Sequence, residues 1–175
     1  MGTCNIVPVS DYIVNIQEKF DMKTKITTEN ALGAYNVINS AKYTKLDDAD
    51  KIKVWKIVRA LKPVATKFDE ESKDAAEKMK PENFDDDLQN AQDYERVLKE
   101  NGDMSKVAMG AAEYGQFIDR LKKYNELINK AIKEFADKEV TLEFEPISED
   151  AFGKLMASND WNFEQAMKLG VLIVG

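Results

Sequence analysis

Residues 114–135 read YGQFIDRLKKYNELINKAIKEF, the longest stretch of the chain with a helical pattern of apolar residues. The apolar side chains recur every three or four positions, and lysines and glutamates fill the opposite side. This spacing predicts an amphipathic helix with one face in a core. The predicted core positions are Tyr114, Phe117, Ile118, Leu121, Ile128, Ile132 and Phe135.

A second apolar stripe predicts a helix of similar length over residues 54–79, with Asp47 or Asp48 as its N-cap. Pro63 lies inside this stripe, and a proline within a helix removes one hydrogen bond and bends or breaks the helix. Because the stripe continues beyond Pro63, a kink is the favoured prediction and a break is the alternative. The stripe consists of Val54, Ile57, Val58, Leu61, Val64, Ala65 and Phe68.

The apolar period changes to two after residue 139, which predicts a half-buried strand over residues 140–145 that ends before Pro146. A single strand cannot satisfy its own backbone, so it needs a partner. Two segments fit that role, Lys23–Thr27 and Ile6–Val9. Either partner would give a small antiparallel sheet.

Residues typical of helix N-caps predict three shorter helices along the chain. Thr28 is the predicted N-cap of a helix that continues to about Lys42. Ser148 is the predicted cap of a second helix, and Asn159 or Asp160 that of a last one.

These elements predict a mainly α (α+β) fold. Its centre is a long kinked antiparallel helical hairpin of residues 54–79 and 112–136, accompanied by the small antiparallel β-sheet and short C-terminal helices. Residues 1–175 are expected to form a single domain, with residues 80–111 as an acidic helical insertion at the tip of the hairpin.

Charge is sorted along the sequence. Residues 69–103 hold 13 acids and 5 bases, whereas residues 42–67 hold eight bases and three acids. Two interpretations remain: each block is a solvated face, or the acidic tip of one copy docks on the basic flank of another, head to tail. The candidate interaction residues are Asp85, Asp86, Asp87, Asp93 and Glu95 on the acidic side and Lys53, Lys56 and Arg59 on the basic side.

Trp55 is a further candidate interaction residue. Together with Ile52 it lies off the apolar stripe, which predicts that the start of its helix is buried on two faces. The alternative is that Trp55 is an exposed anchor for a partner, since tryptophan is enriched at binding hot spots.

Several function classes are disfavoured by what the sequence lacks. The chain has no histidine and one cysteine, Cys4, and it has no Walker, G-x-G-x-x-G or C-x-x-C motif. Its two aspartate clusters, residues 47–50 and 85–87, lack the turn glycine and distal glutamate of a calcium loop. We therefore expect no enzymatic activity, no catalytic residue, no cofactor and no metal.

The net charge, the isoelectric point and the lengths of the apolar runs limit the classes of partner that this chain can have. A net charge of −7 and a pI near 4.8 argue against nucleic acid. No apolar run approaches the roughly 18 residues that a membrane-spanning helix needs, and the amino terminus lacks the pattern of a signal peptide. We expect neither membrane association nor secretion by a signal peptide.

Three segments, taken in order along the chain, carry a resemblance to a family of proteins. They are residues 30–32 with 34–38 (NAL and AYNVI), residues 57–64 with 68–71 (IVRALKPV and FDEE), and residues 138–142 with 146–148 (KEVTL and PIS). In this succession the chain resembles a family of small, uncharacterised proteins encoded by tailed bacteriophages and prophages. The likeness covers roughly residues 25–169, with residues 80–111 as an insertion.

The resemblance implies a non-enzymatic structural or assembly protein of a tailed bacteriophage, associated with the virion, the head–tail region or the tail. Its partners would be other phage structural proteins or copies of itself, and its location the virion or the host cytoplasm. The alternative from another class is a soluble acidic regulatory module that binds a host protein.

Overall fold

The computed structural model describes residues 23–173, of which about 70% are helical. The elements are, in order, strand β1 (Lys23–Thr27), helices α1 (Thr28–Ile38), α2 (Asp48–Met79), α3 (Phe84–Lys99) and α4 (Ala111–Ala136), strand β2 (Glu139–Glu143), and helices α5 (Glu149–Met156) and α6 (Phe163–Lys168). Two 3₁₀ turns lie at Met104–Lys106 and Gly170–Leu172. The predicted class, mainly helical with a small antiparallel sheet and short C-terminal helices, is confirmed.

The chain divides into two compact units. The first comprises, within the described residues, 23–68 and 136–173, and the second comprises Asp69–Phe135. Helix α2 begins in the first unit and ends in the second, so each unit contains part of it. Every contact given below lies within one unit.

The sheet of the first unit pairs β1 with β2 in antiparallel fashion, with Ile26 opposite Val140 and Thr24 opposite Leu142. This confirms Lys23–Thr27 as the partner of the second strand. The other candidate, Ile6–Val9, lies outside the described residues. Ile26 and Leu142 point into the core because alternate side chains of a strand face opposite sides.

The core of the first unit is built from the predicted apolar faces. Val54, Ile57, Leu61 and Ala65 of the α2 stripe are buried, while Val58 is half-buried. The remaining fully buried side chains come from the other elements of the unit: Ala31, Ala34, Ile38, Ile147, Ala151, Leu155, Leu169 and Leu172.

Helix α2 continues through Pro63 to Met79, so the proline does not break it, as predicted. The helix begins at Asp48, and the Asp47 carboxylate accepts a hydrogen bond of 2.9 Å from the Asp50 backbone N–H. Asp47 is therefore the cap. That backbone hydrogen bond is the main reason why the pKa of Asp47 is lowered.

The predicted cap of α1 is wrong by one residue. Thr27 is the N-cap, and its hydroxyl accepts from the Asn30 backbone N–H at 3.2 Å. Thr28 is buried instead, where its backbone N–H and its hydroxyl both donate to the Lys138 carbonyl, at 2.8 and 3.0 Å. The helix also ends earlier than expected, at Ile38.

The last helix begins after Asn162, which forms a capping box with Gln165, and not after Asn159 or Asp160 as predicted. Asn159 has a different role. Its side-chain oxygen accepts from the Lys42 backbone N–H at 2.7 Å, and its side-chain nitrogen donates to the carbonyls of Lys42 and Leu155. It thus fastens the loop after α1 to the end of α5.

Replacing Asn159 by alanine should lower the free energy of unfolding by roughly 1–3 kcal/mol, because three backbone groups lose their partner. Chemical denaturation followed by tryptophan fluorescence measures this directly, since Trp55 and Trp161 both belong to the first unit. Asp160→Ala is the matched control and should be nearly neutral. Equal effects of the two changes would show that Asn159 does not fasten the loop.

The second unit packs α3 and the α2 segment from Asp69 onward with α4. Phe117 is buried against Phe84, with ring centres 5.8 Å apart, and Phe84 also contacts Tyr124 at 4.8 Å. The Tyr124 hydroxyl donates to the Ala76 carbonyl at 3.0 Å, which joins α4 to α2. A turn at Asn101, which has a positive φ of 50°, closes α3.

The apolar face of α4 lies where the sequence places it but is less buried than expected. Phe117 and Ala131 are its buried residues, whereas Leu121, Ile128 and Ile132 are half-buried. The second unit therefore depends on a small aromatic core.

Candidate functional site

A groove with a volume of about 420 Å³ opens on the surface of the first unit. One side is the first half of α2 and the other is the end of β2 with the residues that follow it. The lining residues are Trp55, Lys56, Arg59, Ala60, Glu143, Phe144 and Glu145. Three of the predicted interaction residues, Trp55, Lys56 and Arg59, are thus brought together.

Trp55 is exposed because the core face of α2 passes through its neighbour Val54. Successive helix positions are about 100° apart, so a residue next to a buried one points sideways. Trp55 is 58% exposed and Ile52 is 55% exposed. The expectation that the start of this helix is buried on two faces is therefore wrong.

The Trp55 side chain is held by Arg59, one helical turn further along α2. The guanidinium carbon of Arg59 lies 5.4 Å from the centre of the indole ring, within the range of a cation–π contact. At exposed positions such a contact contributes about 0.5–1 kcal/mol to keeping the two side chains together. An ordered aromatic and arginine pair loses less conformational entropy on binding than two mobile side chains.

Some of the charged side chains around the groove form ion pairs, and others do not. Glu145 pairs with Lys53 at 2.7 Å, and this hydrogen bond is the main cause of the raised pKa of Lys53. Glu143 lies 3.7 Å from Lys23 of the neighbouring strand. Lys56 and Arg59, by contrast, form no ion pair with another residue of the described part.

The three basic candidate residues, Lys53, Lys56 and Arg59, therefore differ in how available they are to a partner. Lys53 is half-buried and already pairs with a carboxylate, so it is less available to a partner than the sequence suggests. Lys56 and Arg59 are exposed on the groove wall. The unmatched charge of the groove is therefore positive.

The acidic candidates lie on α3 in the second unit, and four of the five have a partner there. The ion pairs are Asp85 with Lys80 at 2.7 Å, Asp87 with Arg120 at 2.9 Å, Asp93 with Arg96 at 2.8 Å and Glu95 with Lys99 at 3.5 Å. Asp86 forms no ion pair within residues 23–173. These pairs occupy the four carboxylates locally, and three of the bases, Lys80, Arg96 and Lys99, are already counted in the net charge of −8 of residues 69–103.

The rest of the second unit offsets only part of the charge of the acidic segment. Residues 69–135, the whole second unit, hold 17 acids and 11 bases, because α4 contributes several lysines and Arg120. The acidic segment 69–103 alone has a net charge of −8, but the unit that contains it has −6.

The Tyr114 hydroxyl donates a hydrogen bond of 2.6 Å to the Glu95 carboxylate on α3, and Tyr114 stacks on Tyr94 with ring centres 4.7 Å apart. The hydrogen bond from Tyr114, followed by the charge of Lys99, lowers the pKa of Glu95. The same bond raises the pKa of Tyr114.

Tyr114→Phe should therefore destabilise the protein in a pH-dependent manner. The lowered pKa of Glu95 means that its contribution is present above the unfolded-state pKa and is lost as the pH falls through the folded-state pKa. The loss should be largest near neutral pH and should shrink as the pH falls below about 4.3, the ordinary pKa of a glutamate. Thermal unfolding across this range measures it, with Tyr94→Phe as the control. A loss that is the same at every pH would contradict the role of the hydrogen bond.

Residues 23–173 contain no group of three or more metal-ligating side chains that could hold an ion. None of the helices in this part is long and apolar enough to cross a membrane. Of the aspartates in the two clusters, Asp47 caps α2, and Asp48, Asp85 and Asp87 pair with basic side chains.

Comparison with family models, with curated proteins and with solved structures finds no match to this chain. The resemblance to phage-encoded proteins therefore stays a prediction. The groove described above, called the Trp55 groove, is the structural feature that supports a proposal for the function.

Proposed function

We propose that this protein is a non-enzymatic structural or assembly component of a tailed bacteriophage and that it acts through protein–protein contacts. The phage assignment rests on the resemblance over roughly residues 25–169. The mode of action rests on one observation, the exposed Trp55 that carries Arg59 at 5.4 Å beside the groove.

Burial of Trp55 by a partner would supply substantial binding energy. A tryptophan side chain buries about 150–250 Å², and each Å² of apolar surface removed from water contributes about 25 cal/mol. With 58% of the residue exposed, its burial corresponds to roughly 2–4 kcal/mol. Tryptophan and arginine are also the residue types most enriched among binding hot spots.

The partner that we favour is another phage structural protein. Contact between copies through the acidic face of α3 is less favoured, because four of its five candidate carboxylates have partners within their own unit. The same pairing disfavours the alternative function, an acidic regulatory module that binds a host protein by that face.

Mass spectrometry of particles purified from a producing culture tests the proposed function. We expect the chain to be present in the particles, or in assembly intermediates, at a constant ratio to the other structural proteins. Absence from both, together with recovery on one host protein, would contradict the proposal and support the regulatory alternative.

A further inference from the structure

We propose that the Trp55 groove binds a short acidic segment of the partner protein, which places an apolar side chain against Trp55 and carboxylates on Arg59 and Lys56. This inference rests on the proposed protein–protein function and specifies its partner. It differs from the head-to-tail interpretation in its ligand, which is a short segment of another protein and not the acidic tip of a second copy.

The charge balance of the groove is the first argument. The carboxylates of Glu143 and Glu145 pair with lysines outside the groove lining, Lys23 at 3.7 Å and Lys53 at 2.7 Å. The two cations of the lining, Lys56 and Arg59, have no carboxylate partner within the described residues. A ligand that brings carboxylates would complete the pairing.

The size of the groove is the second argument. Its volume of about 420 Å³ lies within the range of roughly 300–1,000 Å³ that accommodates a small molecule or a few side chains. A short segment of chain fits this space, whereas a folded domain does not enter it. The adjoining exposed face of α2, with Ile52 at 55% exposure, offers further apolar surface to residues that flank the segment.

The chemistry of the lining is the third argument. An arginine stacked on an aromatic ring still presents N–H donors, which bind a carboxylate with two parallel hydrogen bonds. The indole of Trp55 offers apolar area beside those donors. The combination therefore selects a segment in which acidic residues adjoin a large apolar residue.

A nucleic acid fits this surface less well than a peptide. Binding of a phosphate backbone requires a continuous basic surface, because its charges follow one another at short intervals. Here the rim carries Glu143 and Glu145, and the chain has a net charge of −7. A peptide with one or two carboxylates meets less of this repulsion than a phosphate backbone does, because it carries fewer charges.

Selection from a library of displayed random 12-residue peptides tests the proposal. The full chain is the bait, and peptides that also bind the double variant Trp55→Ala/Arg59→Ala are removed. We expect enrichment of sequences in which Asp or Glu adjoins Leu, Ile, Phe or Trp. Enrichment of peptides without acidic residues, or no peptide that depends on the two side chains, would overturn the proposal.

Affinity measurements on one enriched peptide sharpen the test. Its binding is followed by the fluorescence of Trp55 in a Trp161→Phe background, and the analogue with Asn and Gln in place of its acids is compared. We expect at least roughly tenfold weaker binding for the amide analogue and for Arg59→Ala, partial recovery in Arg59→Lys, and no change in Lys62→Ala, an exposed site on the same helix. Equal affinities of the acidic and amide peptides would overturn the charge argument.

Other occupants give distinct results in the same background. Shielding of Trp55 from acrylamide in the isolated chain at all concentrations would indicate that the groove is filled by the chain itself, and shielding that grows with concentration would indicate a second copy. Tighter binding of a single-stranded oligonucleotide than of the peptide would indicate nucleic acid. Each of these results would overturn the proposal. Peptide selection does not require phage particles, so its failure is distinguishable from absence of the chain from the virion.

Discussion

Replacing Phe117 by alanine should lower the free energy of unfolding by roughly 3–5 kcal/mol. Phe117 is 1% exposed, and its ring contacts Phe84 and lies 5.9 Å from the guanidinium carbon of Arg120. The change leaves a cavity in a core cluster whose other buried members, within residues 23–173, are Ala91 and Met109. Denaturant unfolding followed by far-ultraviolet circular dichroism measures the loss.

Leu127→Ala is the matched control for Phe117→Ala. Leu127 lies on the same helix, is also apolar, and is 53% exposed, so its replacement should cost well under half as much. Losses of similar size at the two positions would mean that the aromatic core does not hold the second unit together.

The second large change in the free energy of unfolding is expected at Ile57, and Trp55, two residues earlier on α2, provides the comparison. Ile57→Ala should cost roughly 2–5 kcal/mol, because Ile57 is fully buried at 0% exposure in the core of the first unit. Trp55→Ala should cost about 1–2 kcal/mol, although it removes more atoms, because more than half of Trp55 is in solvent. Because Trp55→Ala removes one of the two tryptophans, the unfolding of both variants is better followed by circular dichroism than by fluorescence.

The order of these two effects distinguishes a core residue from a contact residue. If Trp55→Ala destabilises the protein as much as Ile57→Ala, Trp55 belongs to the core and the groove does not present it to a partner. That result would remove the observation on which the proposed mode of action rests.

Much of the fold follows from periodicity in the sequence. The α2 stripe predicted Val54, Ile57 and Leu61 as core residues, and all three are buried. The change of period after residue 139 located β2, and the shortage of other strand-like segments left few partners for it. These predictions succeed because a buried face imposes its spacing on the sequence over many residues.

Helix starts were harder to predict because several neighbouring residues can cap a helix. Thr27 and Thr28 are chemically identical, and the choice between them depends on the Lys138 carbonyl, which is distant in sequence and binds Thr28. Asn159 is likewise a good cap by type, but the loop at Lys42 binds its side chain. Local chemistry cannot reveal such distant partners.

The candidate site was only partly predictable for the same reason. The sequence identified Trp55, Lys56 and Arg59, which share one region of α2. It did not identify Glu143 and Glu145, which follow more than 80 residues later and complete the groove. Charge counts along the chain also missed pairs such as Asp87 with Arg120, which are 33 residues apart.

Incorporation of variants into phage particles tests the central claim most directly, namely that the Trp55 groove is a protein-contact surface of a phage component. The amount of chain per particle would be quantified by mass spectrometry for the wild type, for Trp55→Ala/Arg59→Ala, and for the control Lys62→Ala, after circular dichroism has shown that all three are folded. The account predicts that the wild type and the control are incorporated equally and that the double variant is strongly depleted. Equal incorporation of all three would contradict it.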